Sequence, residues 1–178
     1  MRLRKIILLL CTLLCSCCVC FASLGINSNE TTLERSEMCL GGVTINMPYQ
    51  SVVQMYGEPQ WQYGDSNNGI AKYGDSVRIG FNKNQVTYVL VMANNGWKTP
   101  KGISVGMNID DVYKIYGNEY IAEKGAKGDY VVYQYNEGIF GERIRLYIST
   151  DLSPEINSLE IYKSSPNKAT PGFPEHYI

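Results

Sequence analysis

The chain has 178 residues with 16 basic and 17 acidic side chains, and no run of like charge, so it lacks the clustered basic surface that nucleic acid binding requires. Arg2, Arg4 and Lys5 lie in the first 22 residues, leaving the remainder with 13 basic against 17 acidic groups, a net charge of about minus four. His176 is the only histidine, and five of the six cysteines precede residue 21; histidine triads, Cys-His nucleophiles and zinc catalysis are therefore excluded for the rest, which offers no cofactor or metal set.

The first element is an export signal over residues 1–22. A basic start is followed by an apolar run from Ile6 to Phe21 and then small, polar residues, a pattern too short for a typical membrane span. Cleavage after Ala22 satisfies the small-residue rule. The alternatives are a retained anchor and acylation of Cys17, because Leu14-Cys15-Ser16-Cys17 has the form of a degenerate lipobox. Residues 23–39 are polar and are expected to be a flexible spacer. They end at Cys39, the one thiol outside the signal; it either pairs between chains or serves as a small, partly buried apolar residue.

Next comes a segment that occurs twice, sixty positions apart. Gly42-Val43-Thr44-Ile45-Asn46-Met47, then Val52, Met55, Tyr56 and Gly57, returns as Gly102-Ile103-Ser104-Val105-Gly106-Met107, then Val112, Ile115, Tyr116 and Gly117. Residues 40–95 and 98–163 are accordingly two copies of one supersecondary unit. Each copy starts with a short helix. Pro48 suits the first turn of one and Asn108 caps the other, Asp110 and Asp111 place negative charge on its first turn, and a glycine ends both. Period-two alternation then predicts strands at Ile70 to Tyr73, Val77 to Phe81 and Gln85 to Met92, and at Tyr130 to Tyr135, Arg143 to Ser149 and Asn157 to Tyr162. The expected fold is α+β: two tandem helix-plus-three-strand antiparallel units with helices on one sheet face. Residues 164–178, with Pro166, Pro171 and Pro174, are an irregular tail.

The phrase from Gly102 to Gly117, with its weaker copy at Gly42 to Gly57, resembles the opening of small bacterial envelope domains of the SmpA/OmlA lipoprotein type. Tandem copies of that unit resemble the fold of the β-lactamase inhibitor proteins (BLIP-like). The resemblance implies a secreted or lipid-anchored protein that binds an extracytoplasmic protein across a sheet without catalysis, touching membrane only through a lipid anchor. The disulfides of the inhibitor proteins are missing, and Asn82 to Asn84 is no long inserting loop, so inhibition of β-lactamases is not implied.

Alternation also proposes a surface. Ile144, Leu146, Ile148, Leu159 and Ile161 point toward the helices, which leaves Arg143, Arg145, Tyr147, Glu160 and Tyr162 outward, with Arg78 comparable in the first copy. Arg and Tyr are enriched at binding hot spots; the plain alternative is ordinary solvated positions with Arg145 and Glu160 paired across strands. All fourteen tyrosines and both tryptophans lie beyond the signal, which also fits a glycan- or small-ligand-binding envelope protein, hydrolytic if two carboxylates share a cleft. Asp110-Asp111 reads as helix capping and Asp65 to Gly69 as a turn rather than cation sites.

Overall fold

Alternating apolar residues require a broad layer to cover them, and here that layer is a single sheet. In the computed structural model, which describes residues 32–65, 67–125, 128–136, 143–150 and 153–164, a short 3-10 turn at Arg35–Glu37 leads into a two-stranded ladder, β1 (Cys39–Leu40) and β2 (Val43–Thr44). Helix α1 (Tyr49–Tyr56) precedes β3 (Trp61–Gly64), β4 (Gly69–Tyr73), β5 (Val77–Asn82) and β6 (Gln85–Val91). Helix α2 (Ile109–Tyr116) precedes β7 (Ile121–Gly125), β8 (Gly128–Asn136), β9 (Arg143–Ser149) and β10 (Ser158–Ser164). The export signal with Cys17 and Ala22, and residues 165–178 of the tail, lie outside the described residues.

The expected pair of helix-plus-three-strand units is corrected on two counts. Four strands follow each helix, and all eight form one antiparallel sheet in the order β3-β4-β5-β6-β10-β9-β8-β7. The extra strands, β3 and β7, are its edges. An edge strand such as β3, exposed at every position, needs no apolar alternation, so a period-two search passes over it. The two quartets meet where β6 pairs with β10, Val89 opposite Ile161 and Val91 opposite Leu159. The BLIP-like layout of two helix-plus-three-strand units is thus replaced by one eight-stranded sheet beside a two-stranded ladder.

Both helices are eight residues long and cover one face. Asn108 caps α2 through its side chain, which accepts the Asp110 N–H at 2.9 Å; Pro48 occupies the corresponding place before α1. Val52 and Val112 are fully buried, and the Tyr49 ring stacks on Phe81 with centroids 3.9 Å apart. Such short helices owe their stability to this packing. Beneath them, Ala71, Ile79, Val89, Ile161, Leu146 and Tyr133 form one inward row across six strands, all fully buried. Leu33 and Met38, expected in a flexible spacer, are also in this core, and the Leu33 N–H donates to the Gln134 carbonyl at 2.8 Å. Among the described residues no helix is long and apolar enough to cross a membrane.

The approach to each helix uses the same backbone bonds. Asn46 N–H donates to Val86 O at 2.8 Å as Gly106 N–H does to Ile156 O at 2.9 Å, and Gly57 N–H to Val53 O at 2.8 Å as Gly117 N–H to Tyr113 O at 2.9 Å. Asn46 and Gly106 share a left-handed backbone, φ 67° and 88°, which explains why asparagine and glycine alternate there. The hairpin between β5 and β6 turns on Lys83 and Asn84 at φ 52° and 57°, the two positive angles of a type I′ turn.

Candidate functional site

The sheet's second face is built by pairing. Trp61, Lys72, Arg78, Leu90, Glu160, Tyr147, Val132 and Ile121 are consecutive partners, one row running across all eight strands. Beside it runs Tyr63, Ile70, Gly80, Tyr88, Tyr162, Arg145 and Gln134. The sequence-selected Arg78, Glu160 and Tyr147 therefore lie in one row and Tyr162 and Arg145 in the next. Arg143 is further along β9, opposite Asn136, whose Oδ1 accepts its Nε–H at 3.1 Å.

Sharing a face has not left these residues equally open. Tyr147 is 6% exposed, and Val132, Gln134 and Tyr88 are buried too, which corrects the reading of Tyr147 as a solvent-facing contact. Arg145 donates to Glu123 Oε1 at 2.7 Å and to the Tyr147 hydroxyl oxygen at 3.2 Å. Its ion pair is with Glu123 on β7 rather than with Glu160, so the expected Arg145-Glu160 pair is not formed. Glu160 lies among Tyr88, Leu90, Tyr147 and Tyr162, and this crowding pushes its carboxyl up to about 7. Burial, then the Glu160 charge, raises Tyr88 as well. Gly80 has a positional reason: a Cβ there would meet the Tyr88 ring at 2.8 Å.

The β3 flank of the same face is open. Trp61 and Tyr63 are 47% and 54% exposed, their rings within 19° of parallel at 6.4 Å between centroids. Lys72 beside Trp61 is held to Asp75 at 2.9 Å, and the Arg78 guanidinium caps the Asp75 and Val77 carbonyls at 3.3 and 3.1 Å. Spacing at i and i+2 was a signal for this pair, but one only after β3 is known to be a strand.

A second candidate lies at the C-terminal end of α1, where a cleft of about 330 Å³ is lined by Tyr56, Glu58, Gln60, Tyr73, Ser76, Asn95 and Trp97, among others. Trp97 stacks on Tyr56 at 4.6 Å, and Tyr73 meets Tyr56 edge-on at 6.2 Å. The Tyr56 hydroxyl donates to the Gly41 carbonyl. Asn95 is a strut, donating to Ser76 Oγ at 2.7 Å and accepting from Trp97 N–H at 3.0 Å. Burial raises the Tyr56 and Tyr73 hydroxyls above their ordinary range. Among the residues that line the cleft, Glu58 supplies the carboxylate.

Sixty residues on, Tyr120 stands at the position of Gln60. Tyr120 stacks on Tyr113 at 5.1 Å and packs on Tyr133 at 6.4 Å. The Tyr116 hydroxyl is buried, 2.8 Å from Glu37 Oε2 and 2.9 Å from Thr99 Oγ1, and Lys101 stands over its ring at 5.3 Å. In the first copy Val53 and Gln60 stand at the positions of Tyr113 and Tyr120. Among the described residues no group of three metal-ligating side chains is found.

No protein-family model matches the sequence, and no curated protein matches it. Among solved structures the chain is similar to a DUF4309 family protein (YjgB) from Bacillus subtilis subsp. subtilis str. 168, with 17% sequence identity, a TM-score of 0.45, and coverage of 69% of this chain and 83% of that one. A likeness of that degree carries no functional argument.

Proposed function

We propose that this chain is a non-enzymatic extracytoplasmic binding protein that engages another protein through the β3 to β5 flank of the sheet face turned away from the helices. The observation that carries the reading is the exposed, near-parallel pair Trp61 and Tyr63, with Arg78 in the same row as Trp61. Large rigid rings supply contact area at low entropic cost, and Trp, Tyr and Arg dominate measured hot spots. β3 is also a sheet edge, the kind of strand alongside which a partner strand can add. Arg143, Arg145, Tyr147, Glu160 and Tyr162 extend the same face. Because Tyr147 is buried and Arg145 is neutralised by Glu123, the contact is centred on the flank rather than on β9 and β10. The amino-terminal apolar run supports an extracytoplasmic address, reached by cleavage after Ala22 or by acylation of Cys17.

The test is retention from envelope fractions on immobilised protein, compared between wild type and the double variant Trp61→Ala, Tyr63→Ala. Both side chains are exposed, so the variant folds, as circular dichroism will verify. A protein retained by wild type and lost from the variant supports the reading; equal retention removes this flank from consideration.

A further inference from the structure

We infer that the cleft beside Tyr56 is a binding site for one pyranose ring of a neutral saccharide, separate from the sheet face. Three observations carry it. The first is that the aromatic wall is fixed before any ligand arrives. Trp97 lies so close over Gly41 that a Cβ there would meet its Cδ2 and Cε3 atoms at 2.5 and 2.6 Å, and its other restraints are the Tyr56 ring and the Asn95 side chain. A wall held on several sides loses little entropy on binding.

The second is the polar complement. Among the described residues Glu58 and Gln60 make no side-chain hydrogen bond or ion pair, and Ser76 Oγ accepts from Asn95 while its own proton stays free to donate. The cleft thus presents a carboxylate acceptor, an amide that both donates and accepts, and a hydroxyl donor, all beside apolar rings. An organic cation would use the carboxylate and rings but leave the amide and hydroxyl idle. An anion is repelled by Glu58, and an apolar ligand would strip water from that carboxylate without replacing it. A sugar ring, with hydroxyls that donate and accept at its rim and C–H groups on its faces, uses every group present. At about 330 Å³ the volume is at the small end of ligand sites, which run from roughly 300 to 1,000 Å³, and suits a single ring.

The third is the internal control already present in the fold. Tyr120, at the position of Gln60, stacks on Tyr113 and packs on Tyr133, so a ring stands in the second copy where the first carries an amide beside its exit tyrosine.

Trp97 reports on the cleft, so the experiment follows tryptophan emission in the Trp61→Phe protein, where Trp97 is the only indole. Chitotetraose and cellotetraose are the probes, with tetramethylammonium as the cation control. The expected result is a saturable change in emission with at least one oligosaccharide and none with tetramethylammonium. Glu58→Ala should weaken it about tenfold and Gln60→Ala roughly threefold, the loss of a charged and a neutral hydrogen bond respectively. Both side chains are exposed, so these variants keep the fold. Absence of a saturable response to either oligosaccharide, a response to tetramethylammonium, or affinity unchanged by both substitutions would overturn the proposal. None of these outcomes depends on the Trp61 and Tyr63 flank.

Discussion

Replacing Gly41 by alanine tests how the first copy holds its tryptophan. Gly41 has φ +58°, and an added Cβ would lie 2.5 Å from Trp97 Cδ2 and 3.0 Å from the Tyr56 hydroxyl oxygen. Two costs add. The left-handed backbone costs an L-residue about 1 to 2 kcal/mol, and forcing a methyl into occupied space costs about 1 to 3 kcal/mol more. The neighbouring Gly42 separates them, because it has φ +84° and nothing within 4 Å of the added atom. Gly42→Ala should lose only the backbone term. Urea denaturation followed by far-ultraviolet circular dichroism should therefore show Gly41→Ala less stable than Gly42→Ala by about 1 to 3 kcal/mol. Trp97 emission should shift only in Gly41→Ala, as the indole leaves Tyr56. Equal losses in the two variants would refute the steric argument and with it the claim that this residue must be glycine to seat Trp97.

Three further outcomes follow from the same geometry. Asn108→Ala removes the acceptor of the Asp110 N–H and should lower stability by about 1 kcal/mol in urea denaturation, while Asn108→Ser should retain most of it. Tyr116→Phe leaves the buried Glu37 carboxylate, among the described residues, with only Lys101, at 3.9 Å, and should cost about 1.5 to 3 kcal/mol; a loss under half that would show water replacing the hydroxyl. For Glu160, burial moves the carboxyl from 4.5 to about 7, so between those values the folded protein holds a proton that the unfolded chain has released. Stability contributed by this residue is full below about pH 4.5 and falls as pH rises to about 7, by as much as ~3 kcal/mol. Denaturation near pH 5 and near pH 8 should show that loss in wild type and not in Glu160→Gln, and parallel losses in both would locate the pH dependence elsewhere.

Direction was more legible in this sequence than burial or neighbourhood. Strand alternation placed Arg78, Arg145, Tyr147, Glu160 and Tyr162 on the face away from the helices, and pairing puts them in two adjacent rows. A period of two reports which way a side chain points, but whether it meets solvent depends on packing from remote parts of the chain, and Tyr147 is buried. The partner of Arg145 was missed because Glu123 lies on β7, an edge strand of Ile121–Gly125 with too little alternation to be read. Asn108 was legible as a cap because a cap is decided within three residues. The cleft was not, since α1, the approach to β3, the β4-β5 turn and the Trp97 loop each supply part of it.

The two helix approaches share a backbone and differ in what sits on their exit tyrosines, which is where functional divergence costs the fold least. The hydrogen bonds from Asn46 and Gly106, and from Gly57 and Gly117, are interchangeable, because they are made by peptide groups that tolerate many side chains. Over that frame, Thr99 and Glu37 satisfy Tyr116 and Lys101 covers its ring. In the other copy Cys39 stands sixty positions before Thr99 and Gly41 before Lys101. Neither can do the same work: a thiol is a weak hydrogen-bond donor, and glycine has no side chain to lay over a ring. Tyr56 turns to the Gly41 carbonyl instead, and Trp97 takes the vacated surface of its ring. A buried, fully bonded tyrosine has thus been exchanged for a half-exposed one beside an unfilled cleft. That exchange gives up buried polar satisfaction and gains the packing of Trp97 against Tyr56 and the core, and whether the cleft it leaves takes the proposed ligand is the outcome the Trp97 titration reads.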